Sequence, residues 1–196
     1  MQKQIGLFGG TFDPVHAGHL ALAQSFLNSG FIDELWIILT PFPPHKKEFS
    51  PSNYSHRLDM LEYVFKSMAH VKILTIENEL PRPSYTFKTI EFLASKHSKH
   101  RFYYCLGGDS LINFHTWKNP EIILKHVNLL VASRPGSIYD EVDNWILEKS
   151  EFIEHEPIDV SSTEIKTRIA GNNSIEGLVH PEVESYIRSN NLYLSN

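Results

Sequence analysis

Apolar residues along this chain alternate between short continuous runs and stripes at helical spacing, and that alternation predicts an architecture before any chemistry is considered. Residues 5–8 form a strand-like run that ends in Gly9-Gly10. From His19 the period changes, and Leu20, Leu22, Ala23, Phe26 and Leu27 mark a helix with one buried side that stops at Ser29-Gly30. Residues 35–39 are continuously apolar, the pattern of a parallel strand covered on both faces. Leu58, Leu61, Val64 and Phe65 predict a second helix, residues 71–76 a third strand, and Phe87, Ile90 and Leu93 a third helix opened by Ser84 or Thr86 as cap. Strands follow at 101–106 and 127–132, a helix-like stretch at 139–149, and a last short strand at 152–160. Ile165 and Ile169 give the apolar side of a helix capped by Ser161 or Ser162, and Pro181 opens a closing helix that turns Val183 and Ile187 inward.

Strands alternating with helices predict an α/β fold, a parallel sheet with helices on both faces. At 196 residues, 41% hydrophobic and 21% charged, the chain suits a single domain, 1–196, with a sizeable core. The polar segments 9–19, 40–47, 79–88, 107–117, 134 and 161–168 all follow strands, so they can meet along one sheet edge. A net charge of -5 leaves no electrostatic footprint for a nucleic-acid polymer or an anionic membrane surface, so any phosphate site has to be built locally. The single cysteine, Cys105, has no internal disulfide partner and fits a reducing compartment. The first residues carry no signal-peptide core and no apolar run is long enough to span a bilayer, so a cytoplasmic location is expected.

The chemistry concentrates at residues 5–19, I-G-L-F-G-G-T-F-D-P-V-H-A-G-H. Gly9 and Gly10 lack the Cβ that would keep a ligand from the backbone, and His16 and His19 stand near a helix start, where unpaired N–H groups and the helix dipole favour an anion. Neither G-x-G-x-x-G nor G-x-x-x-x-G-K-[ST] is present, so nothing supports a nicotinamide-dependent oxidoreductase or a P-loop ATPase. Pro43-Pro44-His45-Lys46-Lys47 reads either as a basic ligand loop or as a solvated one. Residues 161–163 read either as a plain cap or as a second anion-binding helix end. Asp109 after Gly107-Gly108 fits a helix cap as well as a ribose ligand.

The turn G-G-T-F-D-P-V-H-A-G-H resembles the signature of the nicotinate mononucleotide adenylyltransferases, in the nucleotidyltransferase superfamily. The likeness runs along nearly the whole chain: P-F-P-P-H-K (41–46), R-P-S-Y-T-F-K-T (82–89), G-G-D-S-L (107–111), W-K (117–118), R-P-G (134–136) and S-S-T-E-I-K (161–166) follow in the family's order. The resemblance implies a Rossmann-like, doubly wound core and the reaction of ATP with nicotinate mononucleotide to give deamido-NAD and pyrophosphate, with Mg²⁺ held mainly by phosphates. It implies that Gly9, Gly10, Thr11, Phe12, His16 and His19 meet the ATP phosphates, with Lys46, Lys166 and the 161–163 helix end (Ser161, Ser162, Thr163) completing the cradle. In this way the C-terminal helices, about 161–196, finish the site. Gly107 and Asp109 match the ribose contact. Tyr85, Thr86 and Trp117 match the pyridine pocket, with Lys46 and Arg134 also on the mononucleotide side. His16, His19 and Lys46 take the catalytic roles. Position 166 departs from the family, whose motif usually ends in arginine; lysine offers a point charge where arginine offers a bidentate fork.

A phosphate monoester loses its second proton near about pH 6, so the attacking group needs no strong base, and alignment with charge stabilisation suffices. A helix start at 85–87 offers N–H donors that match an acid acceptor better than its amide. Nicotinamide mononucleotide or phosphopantetheine as acceptor, and a non-catalytic nucleotide sensor, are the alternatives on the same fold. A histidine metal centre is disfavoured for want of a third ligand at metal spacing. A homo-oligomer is left open by the sequence.

Overall fold

The computed structural model describes residues 1–41 and 52–194. Six strands form one sheet in the order β3-β2-β1-β4-β5-β6, every pair parallel. They are β1 (Gln4–Gly10), β2 (Glu34–Leu39), β3 (Val71–Leu74), β4 (Arg101–Gly107), β5 (Val127–Ser133) and β6 (Ser150–Glu154). The doubly wound expectation is met, and the strand order reverses between β1 and β4. A crevice forms at such a switch point, outside the carboxyl ends of the strands, because the connections leave those two strands toward opposite faces.

The period of two along each strand sorts side chains between the faces. In β2, Leu35, Ile37 and Leu39 join one core, with Phe26 of α1 (Ala17–Asn28), Met60 of α2 (Tyr54–Phe65), Ile165 of α7 (Ser162–Ala170) and Val183 of α8 (Pro181–Ser189). Trp36 and Ile38 point the other way, into a core with Ile90 of α3 (Thr86–Lys96), Leu111 of α4 (Gly108–Ile112), Ile123 of α5 (Pro120–His126) and Ile146 of α6 (Asn144–Leu147). Both faces are covered, which is why these strands read as unbroken apolar runs.

Four local expectations need correction. The third strand ends at Leu74 and Ile76–Asn78 is a 3-10 turn, which buries Glu77. Only Asn144–Leu147 of the expected helix at 139–149 is helical, because Tyr139 instead packs its ring against Phe152 and donates to Ser133 Oγ at 2.8 Å. The last strand is Ser150–Glu154, ending where His155 leaves the sheet, and 155–161 is irregular. Neither Ser84 nor Thr86 caps α3; Tyr85 is its N-cap residue and gives no side-chain hydrogen bond. At α7 the choice falls on Ser161, whose hydroxyl accepts from Glu164 N at 3.1 Å. Among the described residues no helix is long and apolar enough to cross a membrane.

Candidate active site

Two of the cavities at the carboxyl ends of the strands border the segment after β1. The larger, about 480 Å³, is walled by His16, His19, Gly107, Asp109 and Arg134, with Tyr139, His155 and Val160. The smaller, about 180 Å³, is walled by Gly9, Gly10, Thr11, Tyr85, Thr86 and Trp117, with Thr40, Ser84, Tyr104 and Lys118. They lie on the two sides of the β1 turn, so one chain segment serves both.

That turn is built from the inside. His16 is the N-cap of α1, and its backbone N–H donates to His19 Nδ1 at 3.2 Å, which leaves the ring proton of His19 on Nε2. The two imidazoles lie nearly face to face, 3.7 Å between centroids and 32° apart. Burial pushes His16 down to about 4, so it is neutral near pH 7, and its Nδ1 is buried with no hydrogen-bond partner among the described residues. A neutral imidazole still brings one N–H donor.

Asp13 sits beneath, with 2% exposure. Its Oδ2 pairs with Lys166 Nζ at 2.5 Å, and its Oδ1 accepts from Tyr193 OH at 2.8 Å and from Ser52 Oγ. Burial alone would raise this carboxyl, but the bonds from Lys166, Ser52 and Tyr193 outweigh it and hold the group below the usual carboxylate range. Arg57, 1% exposed, donates to Thr11 O and Thr40 O, both at 2.8 Å, and to Ser52 O at 3.1 Å. One guanidinium thus ties the turn after β1 to the segment after β2. Its fork suits several carbonyls at once, which an ammonium could not do with the same rigidity.

The helix ends converge as well. Ser162 Oγ donates to Pro14 O at 3.0 Å, which sets the N-terminus of α7 against the turn that leads into α1, while Ala17 N at the start of α1 donates to Leu178 O at 2.8 Å. Two dipoles then point their positive ends toward one region, a local anion field in a chain of net charge -5.

Set against the sequence expectations, the structure redistributes several residues. His16, His19, Gly107 and Asp109 stand together in the larger cavity, and Tyr85, Thr86 and Trp117 in the smaller. Arg134, expected beside the pyridine pocket, directly follows β5 and lines the larger cavity instead. Gly9, Gly10 and Thr11, expected at the ATP phosphates, line the smaller. The glycines also have an internal reason: a Cβ at Gly9 would stand 2.7 Å from the Tyr104 hydroxyl and one at Gly10 2.8 Å from the Phe12 ring. Phe12 is a core residue, 2% exposed and edge-on to Phe8 and His19, and its side chain lines neither cavity. Ser161, Ser162 and Thr163 likewise line neither; the first two hydroxyls are spent on the α7 cap and on Pro14. Lys166 faces Asp13. Lys46 lies outside the described residues.

Arg57, Glu77 and Tyr193 were missed by the sequence reading. Arg57 looks like an ordinary polar position of an amphipathic helix, and Tyr193 lies far from every motif. Asp13 was missed as well, standing inside the quoted turn without a role, and no pattern names its partners.

The chain matches the cytidylyltransferase-like family over residues 7–168. It is 34% identical over 195 residues to the probable nicotinate-nucleotide adenylyltransferase of Christiangramia forsetii, covering 98% of this chain and 100% of that one. It is 32% identical over 193 residues to the nicotinate-nucleotide adenylyltransferase of Bacillus subtilis, again covering 98% of this chain and 100% of the relative. Among solved structures, Plasmodium falciparum nicotinic acid mononucleotide adenylyltransferase complexed with NaAD shares the fold with a TM-score of 0.79 at 22% identity, covering 98% of each chain. The fold and these likenesses agree, and the chain belongs to the nicotinate-nucleotide adenylyltransferases of the cytidylyltransferase-like family.

Proposed function

We propose that this protein transfers the adenylyl group of ATP to nicotinate mononucleotide, forming nicotinate adenine dinucleotide and pyrophosphate. The observation that carries the reading is the pair of cavities flanking one turn, since a dinucleotide needs two nucleoside pockets joined at a phosphate-binding centre. The larger takes the adenosine, with Asp109 toward the ribose and Arg134 beside it. The smaller takes the pyridine nucleoside. There Trp117, half-buried and braced edge-on by Tyr104 with 5.6 Å between centroids, offers a surface for a flat cationic ring.

In the reaction an ionised oxygen of the mononucleotide 5′-phosphate forms a bond to the α-phosphorus of ATP as the bond to the β-phosphate oxygen breaks. The electron pair leaves with pyrophosphate, and no proton has to move. The work of the protein is alignment and charge stabilisation. His16 and His19 donate to phosphate oxygens, the N-termini of α1 and α7 supply fixed dipoles, and Lys46 and Lys166 supply cations. A Mg²⁺ would be held mainly by phosphate oxygens and water, and would supply charge neutralisation on the departing pyrophosphate.

The experiment is direct: purified protein, ATP, Mg²⁺ and nicotinate mononucleotide, with the product identified by mass and pyrophosphate measured. Dinucleotide in step with pyrophosphate supports the reading. Nucleotide binding without turnover would replace it with a sensor, and turnover on phosphopantetheine alone would replace the acceptor.

A further inference from the structure

Among the described residues, four buried side-chain polar atoms lack a hydrogen-bond partner, and three of them, Tyr54 OH, Glu77 Oε2 and Ser84 Oγ, gather behind the smaller cavity. Glu77 is 6% exposed. Its Oε1 accepts from Thr89 Oγ1 at 2.7 Å, one turn inside α3, whose first residues wall the cavity. The hydroxyls of Thr40 and Ser84 stand near this carboxyl without a formed hydrogen bond to Oε2, and both residues line the cavity. Glu77 therefore stands one side chain behind the surface that an acceptor would touch. The titratable groups facing it are Tyr54 from α2 and Tyr104 from β4, whose hydroxyls burial pushes up, so both are neutral. Burial pushes Glu77 up as well.

We propose that Glu77 is the specificity-determining residue that separates a carboxylate from a carboxamide on the acceptor ring, acting through the Thr40 and Ser84 hydroxyls. The inference rests on the adenylyl-transfer reading above. Each hydroxyl has one proton to donate. When Glu77 is ionised, those protons turn back toward it, and only lone pairs face the cavity; this matches the NH₂ of an amide and opposes a carboxylate. When Glu77 is protonated its one O–H donates to one of the two hydroxyls, which then turns its own proton outward, and the acid acceptor is matched. The like-charge repulsion between two carboxylates in a desolvated site acts in the same direction. By reciprocity, binding the acid raises the proton affinity of Glu77 by the same factor that protonating Glu77 raises affinity for the acid.

The test is the ratio of kcat/KM for nicotinate mononucleotide to that for nicotinamide mononucleotide, measured from about pH 5.5 to about pH 9. Ionisations shared by both reactions, such as those of the histidines and the 5′-phosphates, cancel in that ratio. The ratio is expected to fall with rising pH once Glu77 ionises, by up to about tenfold per pH unit. Glu77→Gln, which cannot ionise, should give a flat ratio. Thr89→Val removes a donor that stabilises the charged form, so the fall should move to higher pH. A flat wild-type ratio, a fall that persists in Glu77→Gln, or a fall that Thr89→Val leaves in place would each overturn the assignment. Absence of turnover with both acceptors would overturn the reaction reading and the assignment with it.

Discussion

Lys166 Nζ lies 2.5 Å from Asp13 Oδ2, an ion pair that joins α7 to the turn after β1 across 153 positions of sequence. The charge of the lysine is held by a buried carboxylate. Asp13 keeps two other donors, Tyr193 and Ser52, so it would remain hydrogen-bonded if a phosphate drew the ammonium away. Breaking such a buried pair leaves a charge without its partner, at a cost of about 3 kcal/mol or more.

Asp13→Asn is therefore expected to lower stability by about that amount at neutral pH. The sign with pH follows from the depressed carboxyl: its contribution is present above the unfolded value near 3.8 and is lost as pH falls through the lower folded value. Urea midpoints of the two proteins should differ clearly near about pH 7 and draw together below about pH 4. A gap that persists unchanged in acid would mean the variant acts by repacking rather than by charge.

His19→Ala should lower kcat roughly 10²-fold while cooperative unfolding is retained, because it removes a donor oriented before the reaction begins. Its ring is braced by Phe12 and His16, so some loss of stability accompanies the change. Steady-state kinetics with a thermal melt separates the two effects. Turnover near that of the wild type would take His19 out of the chemistry.

Arg57→Lys should be destabilising despite keeping the charge. One ammonium cannot span Thr11 O, Thr40 O and Ser52 O together, and each buried carbonyl left bare costs about 1 to 3 kcal/mol. The expected loss exceeds about 2 kcal/mol by denaturant unfolding, with a raised KM for the acceptor because Thr11 and Thr40 both line its cavity. Wild-type stability in this variant would show that the carbonyls are satisfied some other way.

Arg134→Ala decides between the two placements of that residue. Its position in the larger cavity predicts a KM for ATP raised by about tenfold and an acceptor KM changed little, the loss of one charge-assisted contact. The opposite pattern would return Arg134 to the mononucleotide side.

The sequence by itself determined the alternation of strands and helices, the apolar faces they bury and the glycine-histidine turn that borders both cavities. Each of these is written in local terms: period two or 3.6, glycines at a strand end, and histidines three apart at a helix start. Leu35 to Leu39 announced a strand covered on both faces through its own composition alone, and His16 and His19 announced a helix N-terminus by their neighbours. What only the tertiary structure decided is which partners meet across long separations. Asp13 with Lys166 and Tyr193, Arg57 with the carbonyls of two loops, and Glu77 behind Thr40 and Ser84 are pairs brought together by the crossovers of the sheet. The same crossovers put Arg134 in the larger cavity and Gly9-Gly10 against Tyr104 and Phe12. A buried polar residue leaves no periodic trace, because its partners are satisfied in space and not along the chain.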